Sequence, residues 1–301
     1  MTFVVGTALL AVVTALACAL PGVFVVLRRN SMLVDGIGHA VLPGIVVGYF
    51  FTHDMDSPVL IIGAALAGLI VVLGSEWLSQ TGLLTGDSPQ GLVFPALFSV
   101  GVIMVTMNFA NVHLDTHAVL VGDLNLAAFE HLTVNGTSIG PRYLYVMLVV
   151  LAVNIAFLAV FYTRLKVTTF DPQFATSLGM RTRLLNTTFM FLVSVTVTAA
   201  FNATGAILVV ALMIVPPATA YLVSSRLPMM LALTAVIAVS GALAGFWTAY
   251  TLDTPTSAGM AVFYGIVFLV VLAGSRASRS VRQRAGRDTS TSDTPNATIA
   301  A

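Results

Sequence analysis

Apolar runs of about 20 residues recur from the start of this chain to residue 274, and they constrain its fold more than any other feature. An apolar helix of that length crosses roughly 30 Å of hydrocarbon, the thickness of a bilayer core. The chain is 58% hydrophobic and only 8% charged, too few charges for a water-facing surface. The pattern therefore predicts an all-α, polytopic transmembrane protein.

Hydropathy predicts about eight or nine membrane segments. They lie near residues 3–27, 33–51, 58–78, 88–107, 143–163, 184–201, 204–224, 228–250 and 256–274. The second run contains Asp35, Pro43 and several glycines, which are poor choices for a lipid-facing helix. Because broken helices are tolerated only where they line protein or a water-filled cavity, we expect this segment in the interior. A count of eight would require this segment to be re-entrant or another pair of spans to merge.

Basic residues set the predicted orientation, because cytoplasmic loops carry an excess of Lys and Arg. If Arg28 and Arg29 are cytoplasmic, alternation of the spans leaves Arg142 as the only outer arginine. The N-terminus is then outside and the C-terminus inside. Residues 275–301 are rich in Arg, Ser, Thr and Asp without apolar periodicity. We therefore expect a transmembrane domain over residues 1–274 and a disordered cytoplasmic tail over residues 275–301.

Asp35 and His39 are the first candidate functional pair, in the second apolar run. Residues four apart fall on one face of a helix. Ionisable groups within a membrane segment are costly enough to indicate a function, and carboxylate and imidazole together suit Mn, Zn or Fe. A metal-ligand pair is our interpretation, and a buried hydrogen-bonded pair that fixes the helix is the alternative.

A second candidate group, His113, Asp115 and His117, lies in the loop after the fourth span, which the topology places outside. These side chains could gather an entering divalent cation. Their alternate spacing suits a strand or a loop, and ordinary solvated polarity is the alternative interpretation. The chain's single cysteine supports neither an intrachain disulfide nor a Cys-rich metal cluster.

The loop between the fifth and sixth spans predicts a short helix outside the bilayer. Asp171 suits an N-cap, Pro172 the first helical position and Gly179 a helix end. Phe170, Phe174 and Leu178 recur every four residues, so they form an apolar stripe for a partner or for the chain's own helix ends. No G-x-x-x-x-G-K-[ST] motif occurs in the sequence, so any ATP hydrolysis must belong to another chain.

Four segments in this order resemble the zinc, manganese and iron uptake permeases of bacterial ABC transporters. The segments are Leu27-Arg28-Arg29-Asn30-Ser31-Met32, Asp35-x-x-x-His39-Ala-Val-Leu-Pro43-Gly44, Phe170-Asp171-Pro172 with Ala175 and Gly179, and Thr204-Gly205-Ala206-Ile207-Leu208 leading to Leu212-Met213-Ile214-Val215-Pro216-Pro217-Ala218-Thr219-Ala220. The resemblance covers residues 3–274 and excludes the tail.

That resemblance implies a multi-pass homodimer in the bacterial cell membrane, surrounded by lipid. It implies cytoplasmic ABC ATPase subunits and an extracytoplasmic metal-binding lipoprotein as partners, and it gives no reason to expect nucleic acid. Asp35 and His39 match the family's intramembrane metal site. Residues 171–179 match the coupling helix that inserts into the ATPase. We expect no permanently bound cofactor, only the transported divalent metal.

Pro216 and Pro217 fall inside the seventh span, where the family more often has a small residue after the first proline. Each proline removes a backbone donor and disturbs the carbonyl one turn earlier, so we expect a sharper kink. The kink either shapes a gate, with freed carbonyls lining the ion path, or is purely architectural.

Two other functions remain open at this stage. An ion-coupled secondary metal carrier would titrate Asp35 or His39 and need no ATPase. An intramembrane metallohydrolase is disfavoured, because the sequence has no H-E-x-x-H motif and no third strong ligand near His39. We therefore expect a transport subunit that is not itself an enzyme. The ligand types do not distinguish Mn, Zn and Fe.

Overall fold

The computed structural model describes residues 3–53, 57–84, 86–108, 124–134 and 137–291. The helices are α1 Phe3–Leu27, α2 Ser31–Thr52, α3 Pro58–Gln80, α4 Ser88–Asn108, α5 Leu124–Phe129, α6 Arg142–Phe170, α7 Pro172–Ser177, α8 Thr182–Thr204, α9 Ala206–Val223, α10 Leu227–Thr251 and α11 Thr256–Thr291. Two short antiparallel strands, β1 His131–Val134 and β2 Thr137–Pro141, pair between α5 and α6.

Within these residues, nine helices are long and apolar enough to cross a membrane: α1 to α4, α6 and α8 to α11. This confirms the all-α polytopic class and the higher of the two span counts. The sequence did not predict the β1–β2 hairpin, which is too short to show a period-2 pattern. The last helix runs to Thr291, past the boundary predicted at residue 274, and residues 292–301 lie outside the described part of the chain.

The second span lies in the interior, as its composition predicted. Helix α2 packs against α3, α4, α8 and α9, and one side of it is fully covered. Gly44 explains how α2 and α3 approach so closely. A Cβ at this position would collide with the backbone of Gly63 and Ala64. Small residues at helix contacts let two backbones meet, and van der Waals packing is what holds helices together in lipid.

Helix α1 is the centre of a second group, packed against α6, α9 and α10. Its contact with α9 is closest at Gly22, where a Cβ would collide with the carbonyl oxygen of Met213. Met213 lies four residues before Pro217, which has no N–H to donate to that carbonyl. The carbonyl released by Pro217 therefore points at α1.

A buried polar contact fixes α1 against α6 and α8. Pro21 removes the regular helical donor to the carbonyl of Ala17. The side chain of Asn154, which is 0% exposed, donates to that carbonyl at 2.9 Å and to Thr196 Oγ1 at 3.0 Å. A backbone acceptor that the helix leaves unpaired is thus satisfied from a neighbouring span, as polar groups buried in a membrane protein must be.

Arg28 ties together the ends of α1, α6 and α8. Its guanidinium donates to Thr169 Oγ1 at 3.0 Å, to Thr168 Oγ1 at 3.1 Å and to Asn186 Oδ1 at 2.8 Å, and lies over the Phe189 ring. Burial lowers the pKa of Arg28 to about 10, so the group stays charged at neutral pH. Arg28 of the Leu27-to-Met32 motif thus has a structural role at this end of the bundle.

Candidate metal centre

Asp35 and His39 lie one turn apart on α2, and the structure brings their side chains together. The Asp35 Oδ1 to His39 Nε2 distance is 3.8 Å, and the side chains are 45% and 38% exposed. That distance is too long for a hydrogen bond, so the carboxylate and the imidazole nitrogen do not bind each other tightly. The alternative of a buried, hydrogen-bonded pair does not match this geometry, whereas two adjacent, accessible ligand atoms suit a cation.

Helix α4 supplies the surroundings of His39. The imidazole stacks on Phe94 with ring centroids 5.6 Å apart and planes inclined by 14°. It meets Phe98 at 5.8 Å and 79°. Sequence analysis missed both residues, because nothing in the sequence says which span pairs with α2. Their i, i+4 spacing on one helix face is the only signal present, and apolar spans contain many such pairs.

Pro43 adds a backbone feature to the same helix. It lies four residues after His39, so the His39 carbonyl cannot receive the regular helical hydrogen bond. The ring of Pro43 packs against α4 at Gly101, where a Cβ would come within 2.6 Å of Pro43 Cβ. The segment that carries the ligands is thus held closely by α4.

One chain supplies too few ligands for a divalent transition metal. Among the described residues, no group of three or more His, Cys, Asp or Glu side chains could hold a metal ion. Such ions commonly take four or more ligands, so Asp35 and His39 need further donors, either water or a second copy of the chain. The predicted outer-loop group, His113, Asp115 and His117, lies outside the described residues, and its role stays a prediction.

Helix α7 has the local structure that the sequence predicts. Asp171 Oδ1 accepts a hydrogen bond from the Phe174 backbone N–H at 2.8 Å, Pro172 opens the helix, and Gly179 follows its end with φ +71°. Ala175 is fully buried, so one side of the helix packs against the rest of the chain.

The other side of this segment carries the apolar stripe. Phe170, Phe174 and Leu178 are 57%, 52% and 59% exposed. More than half of each side chain is thus left uncovered by the chain's own helix ends, so packing against those ends accounts for only part of the stripe. The three side chains leave an apolar surface beside the polar ends of α6 and α8.

Beside α7, an ion pair links α3 and α8. Arg183 Nε lies 3.7 Å from Glu76 Oε1, and Arg183 Nη2 donates to Gln80 Oε1 at 3.1 Å. Glu76 belongs to α3, the helix that packs on α2, so a short chain of contacts leads from the neighbourhood of α7 to the ligand-bearing helix. In the predicted topology Arg183 is one of the arginines on the cytoplasmic side, and the sequence did not predict its contact with α3.

Pro216 and Pro217 are buried within α9, which continues as one helix through both. The Met213 carbonyl that Pro217 releases lies against Gly22 and is covered there by α1. Helix α9 also contacts α2. A gating role for the two prolines stays a prediction, and this carbonyl is directed at a packed helix.

Comparison with known proteins identifies a matching family and similar membrane proteins. Residues 1–275 match the model of the ABC 3 transport family. The chain is 43% identical over 263 residues to the zinc transport system membrane protein TroD of Treponema pallidum (strain Nichols), covering 87% of this chain and 71% of that protein. It is 38% identical over 257 residues to the manganese transport system membrane protein MntD of Bacillus subtilis (strain 168), covering 85% and 87%.

A solved structure has the same fold. PsaBC from Streptococcus pneumoniae, determined in complex with a Fab, contains a chain that matches with a TM-score of 0.73. The match covers 90% of this chain and 91% of that one, at 23% identity. The likeness supports the helical architecture described above.

Proposed function

The chain belongs to the ABC 3 transport family, and from that membership we propose that it is the permease subunit of an ATP-driven importer of divalent transition metals. The relatives described above are named for zinc and for manganese transport. The Asp35–His39 pair is the observation that carries the proposal. It places a carboxylate and an imidazole 3.8 Å apart in an apolar span, and this donor set accepts Mn²⁺, Zn²⁺ and Fe²⁺.

The transported ion binds between two copies of the chain. A twofold axis that runs along the pore gives every ligand of one copy a mate from the other. Asp35 and His39 from both copies then supply four protein ligands, with water completing the shell where the metal needs more. Two carboxylates also neutralise the charge of a divalent ion within the low-dielectric span, where an uncompensated charge is costly.

The chain passes the ion inward from an extracytoplasmic metal-binding lipoprotein. The N-terminus lies outside and the C-terminus inside, so α7 faces the cytoplasm. Cytoplasmic ATPase subunits dock on the exposed Phe170, Phe174 and Leu178 side chains. Nucleotide-driven closure of the ATPases moves α7 and the ends of α6 and α8, and this opens the inner side of the site. The chain itself forms no covalent intermediate.

A vesicle experiment separates this function from an ion-coupled secondary carrier. Inside-out membrane vesicles that contain the complete transporter are loaded with radioactive Mn²⁺ or Zn²⁺ together with the binding protein, and external ATP is added. We expect metal export from the vesicle lumen that requires ATP and stops with a non-hydrolysable analogue. Transport that follows a proton or sodium gradient without nucleotide would contradict the proposal.

A further inference from the structure

The imidazole of His39 contacts two aromatic rings of α4, those of Phe94 and Phe98. Within the described part of the chain, its ring nitrogens make no hydrogen bond, and Asp35 Oδ1 at 3.8 Å is too distant for one. A histidine that binds metal in a protein usually donates its second ring N–H to a carboxylate, carbonyl or water, which fixes the ring's orientation. Contacts with neighbouring aromatic rings are a second way to restrict that orientation.

Phe94 and Phe98 restrict the ring from two directions. Phe94 lies nearly parallel to the imidazole, at 14°, and Phe98 stands nearly perpendicular to it, at 79°. Stacked and edge-on arrangements are the favoured geometries for aromatic pairs. Turning the imidazole out of its plane would drive it into Phe94 or lose the edge contact with Phe98. With the imidazole in this position, His39 Nε2 lies on the side of the Asp35 carboxylate, 3.8 Å from Oδ1.

The position of these rings relative to α2 is itself fixed. A Cβ on Gly36 would lie 3.3 Å from Phe94 Cδ1. Because Gly36 has no side chain, Phe94 can pack closely against α2, the helix that carries Asp35 and His39. On the other side of His39, Gly101 of α4 accepts the ring of Pro43 at similarly close range. Helix α4 thus contacts α2 both before and after the histidine. These two contacts fix how close the phenyl rings of α4 lie to the imidazole.

We propose that Phe94 and Phe98 are positioning residues that hold the His39 imidazole in the orientation needed to bind the transported metal. The proposal rests on the proposed function, because it assumes that His39 is a ligand. Phe98 is the more diagnostic of the two, since Phe94 also packs against Gly36 and helps to join α2 and α4.

Co²⁺ binding to the purified full-length chain in lipid nanodiscs tests the proposal, because the visible absorption of Co²⁺ reports ligand geometry as well as affinity. Phe98→Ala should weaken Co²⁺ binding about tenfold, the lower end of what loss of an orienting partner costs at metal sites. It should also change the shape of the absorption bands. Phe98→Tyr keeps the ring and should have the affinity and spectrum of the wild-type chain. Phe98→Leu keeps apolar volume without a ring, and its affinity and spectrum should change as those of Phe98→Ala do.

Two controls make the outcome decisive. Phe191→Ala removes the same side chain from α8, where it is 40% exposed, and should leave Co²⁺ binding unchanged. Asp35→Ala should abolish binding; if it does not, the proposed metal site itself is wrong. If Asp35→Ala abolishes binding while Phe98→Leu keeps wild-type affinity and spectrum, only the positioning role is overturned. Phe98→Leu decides the question if Phe98→Ala fails to fold.

Discussion

Replacing Asn154 tests whether the bundle depends on the carbonyl that Pro21 leaves without a helical donor. In Asn154→Leu the side chain keeps its branched shape, with a larger volume, but loses the 2.9 Å hydrogen bond to the Ala17 carbonyl. Thr196 is not left unpaired, because its hydroxyl still donates to Leu192 at 2.8 Å. The substitution therefore leaves one buried backbone carbonyl unsatisfied, and any cost of packing the larger leucine is separated from this by the double-mutant cycle below.

The expected loss of stability is about 1–2 kcal/mol. An unsatisfied buried acceptor costs about 1–3 kcal/mol in water-soluble proteins. In membrane proteins, side-chain hydrogen bonds between helices are worth about 0.6 kcal/mol on average and about 1.7 at most, because the unfolded state in lipid also finds partners. Asn154 is fully buried and its acceptor has no alternative donor in its helix, so we place it in the upper part of that range.

A double-mutant cycle isolates the contact. Pro21→Ala restores an N–H that can bond the Ala17 carbonyl within α1, so Asn154→Leu should cost about 1 kcal/mol less in the Pro21→Ala background. Unfolding by SDS titration in mixed micelles, followed by the fluorescence of the chain's two tryptophans, measures all four variants. Costs that add to within about 0.3–0.5 kcal/mol would show that Asn154 and Pro21 act independently and would refute this reasoning.

Three further predictions concern α7, α9 and the contact of α1 with α9. Phe174→Glu should weaken ATPase association or uncouple hydrolysis from transport, whereas Gln173→Glu, on the same short helix, should not; coupled transport in both variants would contradict docking on the stripe. Pro217→Ala should change the transport rate more than the metal affinity, because it alters a helix without deleting a ligand; unchanged kinetics in an assembled complex would reduce the proline to passive shape. Gly22→Ala should destabilise the chain by about 1–3 kcal/mol in the same SDS titration, since its Cβ meets the Met213 carbonyl, and wild-type stability would show that α1 and α9 separate easily.

Local features of this fold could be predicted from the sequence because each depends on a few neighbouring residues. Span positions follow from apolar length, and the start and end of α7 follow from Asp171, Pro172 and Gly179. The interior position of α2 followed from Asp35 and the glycines around it, which lipid would not tolerate. The placement of Asp35 and His39 on one face of α2 could be predicted from the period of the α-helix alone.

Contacts between distant segments could not be predicted, since hydropathy does not say which apolar helices pair. Asn154 lies in α6, and nothing marks it as the partner of a carbonyl in α1. Phe94 and Phe98 look like any apolar residues of a span until α4 is placed against α2. The direction in which a proline-released carbonyl points likewise depends on packing, as Met213 illustrates.

The number of metal ions bound per chain of the purified protein tests the proposed shared metal site most directly. If Asp35 and His39 of two copies form one site, elemental analysis after equilibration with Mn²⁺ or Zn²⁺ and removal of free metal should give one ion for every two chains. Asp35→Asn, which keeps size and removes charge, should lose most of this metal, and His39→Ala should lose it as well while both variants stay dimeric. One ion per chain, or full retention of metal in both variants, would contradict the shared intramembrane site.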